Sequence, residues 1–97
     1  MLTAADFEKV RHVCERFGVV RLDVFGSLAR GTASPTSDAD LLYTLGPDVQ
    51  LGWAIEDLAL ELSEILGRPV DLVSARGLNA RLREQVLQEA QPFYAAA

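Results

Sequence analysis

The run Gly26-Ser27-Leu28-Ala29-Arg30-Gly31 opens a stretch in which Asp38-Ala39-Asp40 follows eleven residues after Ser27. Gly26 allows the backbone to approach a ligand closely, and Ser27 adds a hydroxyl, a combination suited to phosphate oxygens. Two aspartates one residue apart project from the same face of a strand. Their carboxylates are the hard oxygen donors that magnesium prefers. A phosphate turn followed by paired carboxylates meets the demands of nucleotidyl transfer: the triphosphate charge is neutralised, a hydroxyl is aligned with the α-phosphorus, and the departing pyrophosphate is stabilised. Two metal ions roughly 3.5 to 4 Å apart do much of this work in known two-metal sites, so two Mg2+ are expected here.

Elements on either side must hold that stretch in place. Thr3 with Asp6 three residues on predicts a capping box, and Phe7, Val10, Val13, Cys14 and Phe17 recur at helical spacing up to Gly18. Val19 to Phe25 reads as a strand, with Val20, Leu22 and Val24 alternating against Arg21 and Asp23 and ending at Gly26. Gly26 and Ser27 then open a short helix whose N–H groups face phosphate. Thr32 to Ser37 is small, polar and carries Pro35, which predicts a loop. Asp38 to Thr44 reads as a second strand, with Asp38, Asp40 and Leu42 on one face and Ala39, Leu41 and Tyr43 on the other. Unpaired carboxylates are costly to bury, so the first face must open onto solvent, metal or ligand.

Beyond Gly46-Pro47, Leu51, Ile55, Leu58, Leu62, Ile65 and Leu66 mark an amphipathic helix ending at Gly67. Trp53 is assigned to the core on that spacing, and Glu56, Asp57, Glu61 and Glu64 to a solvated face. Val70 to Val73 is a short strand carrying Asp71, and Leu78 to Ala90 a further helix. The tail Pro92 to Ala97 either adds a terminal strand or crosses the surface. The order predicts an α/β domain with a small mixed sheet of three or four strands and helices packed on one face.

Asp71 belongs to a neighbouring strand, where it either completes the metal site or accepts the proton of the attacking hydroxyl. Arg30, one helical turn beyond Gly26, either reaches phosphate or pins a loop. Cys14 reads as a small buried hydrophobe rather than a reactive thiol, and His12 as a surface residue rather than a metal ligand.

Ninety-seven residues suffice for one core, read as a single domain over 1–97, and leave no room for a separate acceptor-binding module. The net charge of -5 opposes direct binding to a nucleic-acid backbone and suits a basic protein partner. A lone cysteine forms no internal disulfide, no secretory pattern opens the chain, and no apolar run reaches the roughly 20 residues of a membrane span. A cytoplasmic protein without a membrane association is expected.

Gly26-Ser27-x-x-Arg30-Gly31 followed by Ser37-Asp38-x-Asp40-Leu41-Leu42 resembles the nucleotidyltransferase superfamily typified by DNA polymerase β, and within it the minimal nucleotidyltransferase group. The resemblance extends over nearly the whole chain, including Val70-Asp71-Leu72-Val73. It implies metal ligation or catalysis by Asp38, Asp40 and Asp71, and nucleotide binding by Gly26, Ser27, Arg30 and Ser37. It further implies ATP as co-substrate and a HEPN-domain ribonuclease toxin as partner. The chain would then be the antitoxin, joined to its toxin in a hetero-oligomer and transferring AMP onto a toxin tyrosine. Neutralisation by complex formation and transfer to a small-molecule hydroxyl are the alternatives.

Overall fold

Helix α1 (Ala4–Phe17) forms where the sequence supplies both of its ends. The Thr3 hydroxyl accepts from the Asp6 N–H at 3.1 Å while the Asp6 carboxylate accepts from the Thr3 N–H at 2.8 Å, closing the capping box. Gly18, at φ 73°, stops the helix in the left-handed region. In this computed structural model, which describes residues 2–96, the remaining elements follow as β1 (Val19–Phe25), α2 (Gly26–Arg30), β2 (Ala39–Leu45), α3 (Ala54–Leu66), β3 (Val70–Ser74), α4 (Ala80–Glu89) and β4 (Gln91–Ala95).

The four strands form one mixed sheet in the order β3-β2-β1-β4. β1 runs antiparallel to both β2 and β4, whereas β2 and β3 are parallel, a pairing that needs the long crossover α3 supplies between them. Helices α1 and α3 pack on each other over one face of the sheet. Val10, Val13 and Cys14 of α1 meet Leu58 and Leu62 of α3 above Leu22 of β1 and Leu41 of β2. Each of these apolar side chains contributes on the order of 1.5 to 3 kcal/mol by leaving water. The α/β architecture and mixed sheet expected from the sequence are present, and the tail resolves as strand β4 up to Ala95; Ala97 lies outside the described residues. Pro92 is tolerated in β4 because that strand forms the sheet edge.

Three expectations are corrected. Trp53 is 89% exposed rather than in the core. It precedes the first turn of α3, so the helical stripe that buries Ile55, Leu58 and Leu62 does not include it. Val20 is exposed and Asp23 is only 4% exposed, the reverse of simple alternation. A register shift between Val19 and Arg21 gives the inward position to Val19 and breaks the period of two before Leu22. Asp23 is held by Arg21, whose Nε lies 2.9 Å from Oδ2, so the nearly buried charge is paired. Finally, β2 begins at Ala39, leaving Asp38 just ahead of the strand.

Candidate active site

The Gly26-Ser27 turn is built at the end of β1, where Phe25 pairs with Asp40 of β2. Gly26 is buried at φ 71°, a conformation that L side chains rarely adopt. A Cβ on Gly26 would collide with Oδ2 of Asp40 and lie 3.2 Å from its Cγ. Glycine is therefore required twice at this position, by conformation and by the carboxylate resting against it. Gly31, at φ 74°, closes α2, and the Thr32 N–H donates to the Ser27 carbonyl at 2.9 Å. These bonds confine the short helix that carries Ser27 and Arg30.

The loop from α2 to β2 is fastened from two sides. The Ser37 hydroxyl accepts from the Ser34 N–H at 2.9 Å and lies 3.1 Å from the Ser34 hydroxyl. Arg68 Nη1 donates to the carbonyls of Ser34 and Ser37 at 3.3 and 3.2 Å. The Ala39 N–H then meets the Pro69 carbonyl at 2.8 Å, where β2 begins beside the approach to β3. Ser37 thus takes part in the architecture of the loop that delivers Asp38. Arg68 was not singled out in the sequence, because nothing in its spacing indicates a partner some thirty residues earlier.

Asp40 and Asp71 stand opposite one another in the parallel pairing of β2 and β3 and therefore share a sheet face. Asp38 and Asp71 are exposed and Asp40 is half-buried. Burial raises the Asp40 pKa above the usual carboxylate value, and the charges of Asp71 and Asp38 add to that effect. Arg30 acts in the opposite direction and Glu89 adds a further increment. The face closes beyond these acids, since Leu42 is buried in register with Asp23 of β1 and Val73 of β3. Asp23 shares the face, but Arg21 already neutralises it.

Among the described residues no three His, Cys, Asp or Glu side chains converge as a ready metal cage. Asp40 and Asp71 instead offer oxygen donors in register on one face, with Asp38 near enough for its charge to act on Asp40. That donor set suits magnesium, which commonly takes one or two carboxylates and completes its shell with water and substrate phosphates.

Arg30 is engaged with an unforeseen partner. Its Nη1 lies 3.2 Å from each carboxylate oxygen of Glu89, and Glu89 Oε1 also accepts from the Gly26 N–H at 3.0 Å. Glu89 lies at the end of α4, and no motif or period in the sequence connects it to the turn at Gly26.

A strand ending in a Gly-Ser turn, beside a strand pair that aligns carboxylates, is the fold of a nucleotidyl-transfer protein. Residues 8–93 match the nucleotidyltransferase domain model, and the chain belongs to that family. It is similar to the protein adenylyltransferase MntA of Thermococcus cleftensis, 37% identical over 94 residues, covering 92% of this chain and 94% of that protein. Among solved structures, a candidate minimal nucleotidyltransferase is 49% identical with a TM-score of 0.76, covering 92% of this chain and 90% of that one. A structure of a tri-AMPylated Shewanella oneidensis HEPN toxin in complex with MNT antitoxin shares the fold at 20% identity and a TM-score of 0.66, covering 95% of this chain and 71% of that one.

Proposed function

We propose that this chain, acting as a single catalytic domain, is an antitoxin that transfers AMP from ATP to a tyrosine hydroxyl of a HEPN ribonuclease toxin. The observation that carries the reading is the contact of Gly26 with Asp40, which sets the phosphate turn directly against a carboxylate in register with Asp71. In this reading the tyrosine oxygen attacks the α-phosphorus, the bond from that phosphorus to the bridging oxygen of pyrophosphate breaks, and pyrophosphate departs. The turn at Gly26, which has no side chain to obstruct the approach, the Ser27 hydroxyl and Arg30 bind the β- and γ-phosphates, and Ser37 holds the loop edge of the nucleotide site. Asp38, Asp40 and Asp71 would hold magnesium, which supplies electrostatic stabilisation of the phosphate charge. Asp71, exposed on β3, would serve either as a third ligand to that metal or as the acceptor of the tyrosine proton.

The adenylyltransferase name of the Thermococcus relative supports ATP as the donor, and the AMPylated HEPN complex supports a toxin as the acceptor. The small size of the chain favours an acceptor that completes the pocket itself. Intact-mass measurement of the protein encoded beside this chain tests the reading, with co-expression of wild type or the Asp38→Ala, Asp40→Ala double variant. An AMP-sized increment restricted to wild type supports transfer. An unmodified partner that is still neutralised by both forms would replace transfer with inhibition by complex formation.

A further inference from the structure

We propose that Glu89 is a positioning residue for the triphosphate, presetting the Gly26 backbone and the Arg30 guanidinium from a helix remote in sequence. The inference rests on the reading of Gly26 to Arg30 as the triphosphate turn and extends that site to α4.

One carboxylate spans the whole of α2. Oε1 of Glu89 takes the Gly26 N–H at 3.0 Å, and both of its oxygens lie 3.2 Å from Arg30 Nη1. Gly26 is a buried residue, so its N–H needs an acceptor, and Glu89 supplies one. The same glycine rests against Asp40, so fixing its backbone also fixes one wall of the carboxylate site. Arg30 is engaged through Nη1 alone, while a guanidinium carries five N–H donors in a rigid fork. The other donors can serve phosphate oxygens once the plane of the fork is set. Glu89 offsets the charge of Arg30 in part, but it removes rotamer freedom that would otherwise be lost on binding.

A purely structural tie between helices explains these contacts less well. Helix α4 buries no side chain, and both partners of the Arg30–Glu89 pair are substantially exposed, 54% and 34% at their side chains. Such pairs add little to stability. Their geometric effect falls on the two ends of the phosphate turn.

The test is calorimetric titration of the whole chain with α,β-methylene ATP in magnesium buffer, for wild type, Glu89→Ala, Glu89→Gln, Arg30→Ala and the Arg30→Ala, Glu89→Ala double variant. Phosphorus NMR of the bound analogue accompanies each titration. Glu89→Ala is expected to weaken binding about tenfold, the scale of one charge-assisted contact. Glu89→Gln, which keeps the side-chain length and an acceptor oxygen, should recover part of the loss. The β- and γ-phosphorus resonances should move in both variants, with the melting temperature held in Glu89→Gln, whose amide oxygen can still accept from the buried Gly26 N–H, and lowered in Glu89→Ala, which leaves that donor unpaired. In the Arg30→Ala background the second substitution should weaken binding less than Glu89→Ala does alone. Wild-type affinity and resonances in both Glu89 variants would overturn the proposal. If Glu89→Ala does not fold, Glu89→Gln decides alone: weakened binding with shifted resonances supports the proposal, and unchanged binding overturns it. A wild-type chain that binds no triphosphate analogue overturns the underlying reading, an outcome distinct from binding that is indifferent to Glu89.

Discussion

The carboxylate of Asp40 occupies the space that a side chain on residue 26 would need. The Gly26-Ser27 turn and the acidic face are therefore one packed unit rather than two neighbouring features. Substituting Gly26→Ala places a methyl group against Oδ2 of Asp40 at a backbone φ of 71°. Strain of this kind costs on the order of 1 to 3 kcal/mol. Nucleotidyl transfer should fall much further than stability, because the clash displaces the carboxylate proposed to hold the metal. Thermal melting and a labelled-ATP transfer assay on the same preparation separate the two effects. Full activity in a folded Gly26→Ala protein would show that Asp40 moves freely away from the turn.

Trp53 is the single tryptophan of the chain and is 89% exposed. Its indole should emit like a solvated side chain and be quenched efficiently by acrylamide. Trp53→Ala should change stability by no more than about 0.5 kcal/mol, as expected for a surface position. A blue-shifted, protected emission from the isolated chain would instead place the indole in a packed environment.

The contrast between Trp53 and Cys14 shows which features of the fold can be read from sequence. Cys14 lies within α1, whose capping box and terminal glycine fix the helical phase, so its burial follows from spacing. Trp53 fits a helical period on paper but stands before the first turn of α3, where that phase does not yet operate. The exposure of Val20 depends on a bulge without a local sequence signature, and the burial of Asp23 on its pairing with Arg21. At the site, the Gly-Ser turn and the Asp-x-Asp pair are local patterns and were legible. The alignment of Asp71 with Asp40 follows from the parallel pairing that α3 permits. The Glu89 and Arg68 contacts join segments far apart in the chain, and only the completed fold reveals them.

Burial pushes the Cys14 thiol up to about 12, well above the value of a free cysteine. In the unfolded chain the thiol ionises near its ordinary value of about 8.5, while in the folded chain it keeps its proton. The associated stability is complete below the unfolded value and is lost as pH rises from there toward the folded value. At pH 8 a thiol reagent should react with Cys14 only as fast as the protein opens, and denaturant should abolish that protection. Rapid stoichiometric labelling of native protein would contradict the buried placement.

Asp40 presents the same linkage with a functional consequence. Its folded pKa is raised, first by burial and then by Asp71 and Asp38, so the stability linked to its protonated form is present below the unfolded value of 3.8 and is lost as pH rises through the folded value. The fold therefore disfavours the charged form of Asp40 in the metal-free protein. Asp40→Asn removes that charge while keeping the shape and should raise the melting temperature of the metal-free protein at pH 7, with a smaller gain at pH 4. Magnesium should raise the melting temperature of wild type more than that of the variant, because binding to the folded state alone stabilises it. Transfer activity should be lost in the same substitution. Melting curves at the two pH values, with and without magnesium, test each part. A variant that melts below wild type under all four conditions would show that Asp40 is retained for folding, and the acidic face would then lose its claim to be a site held against stability for the sake of chemistry.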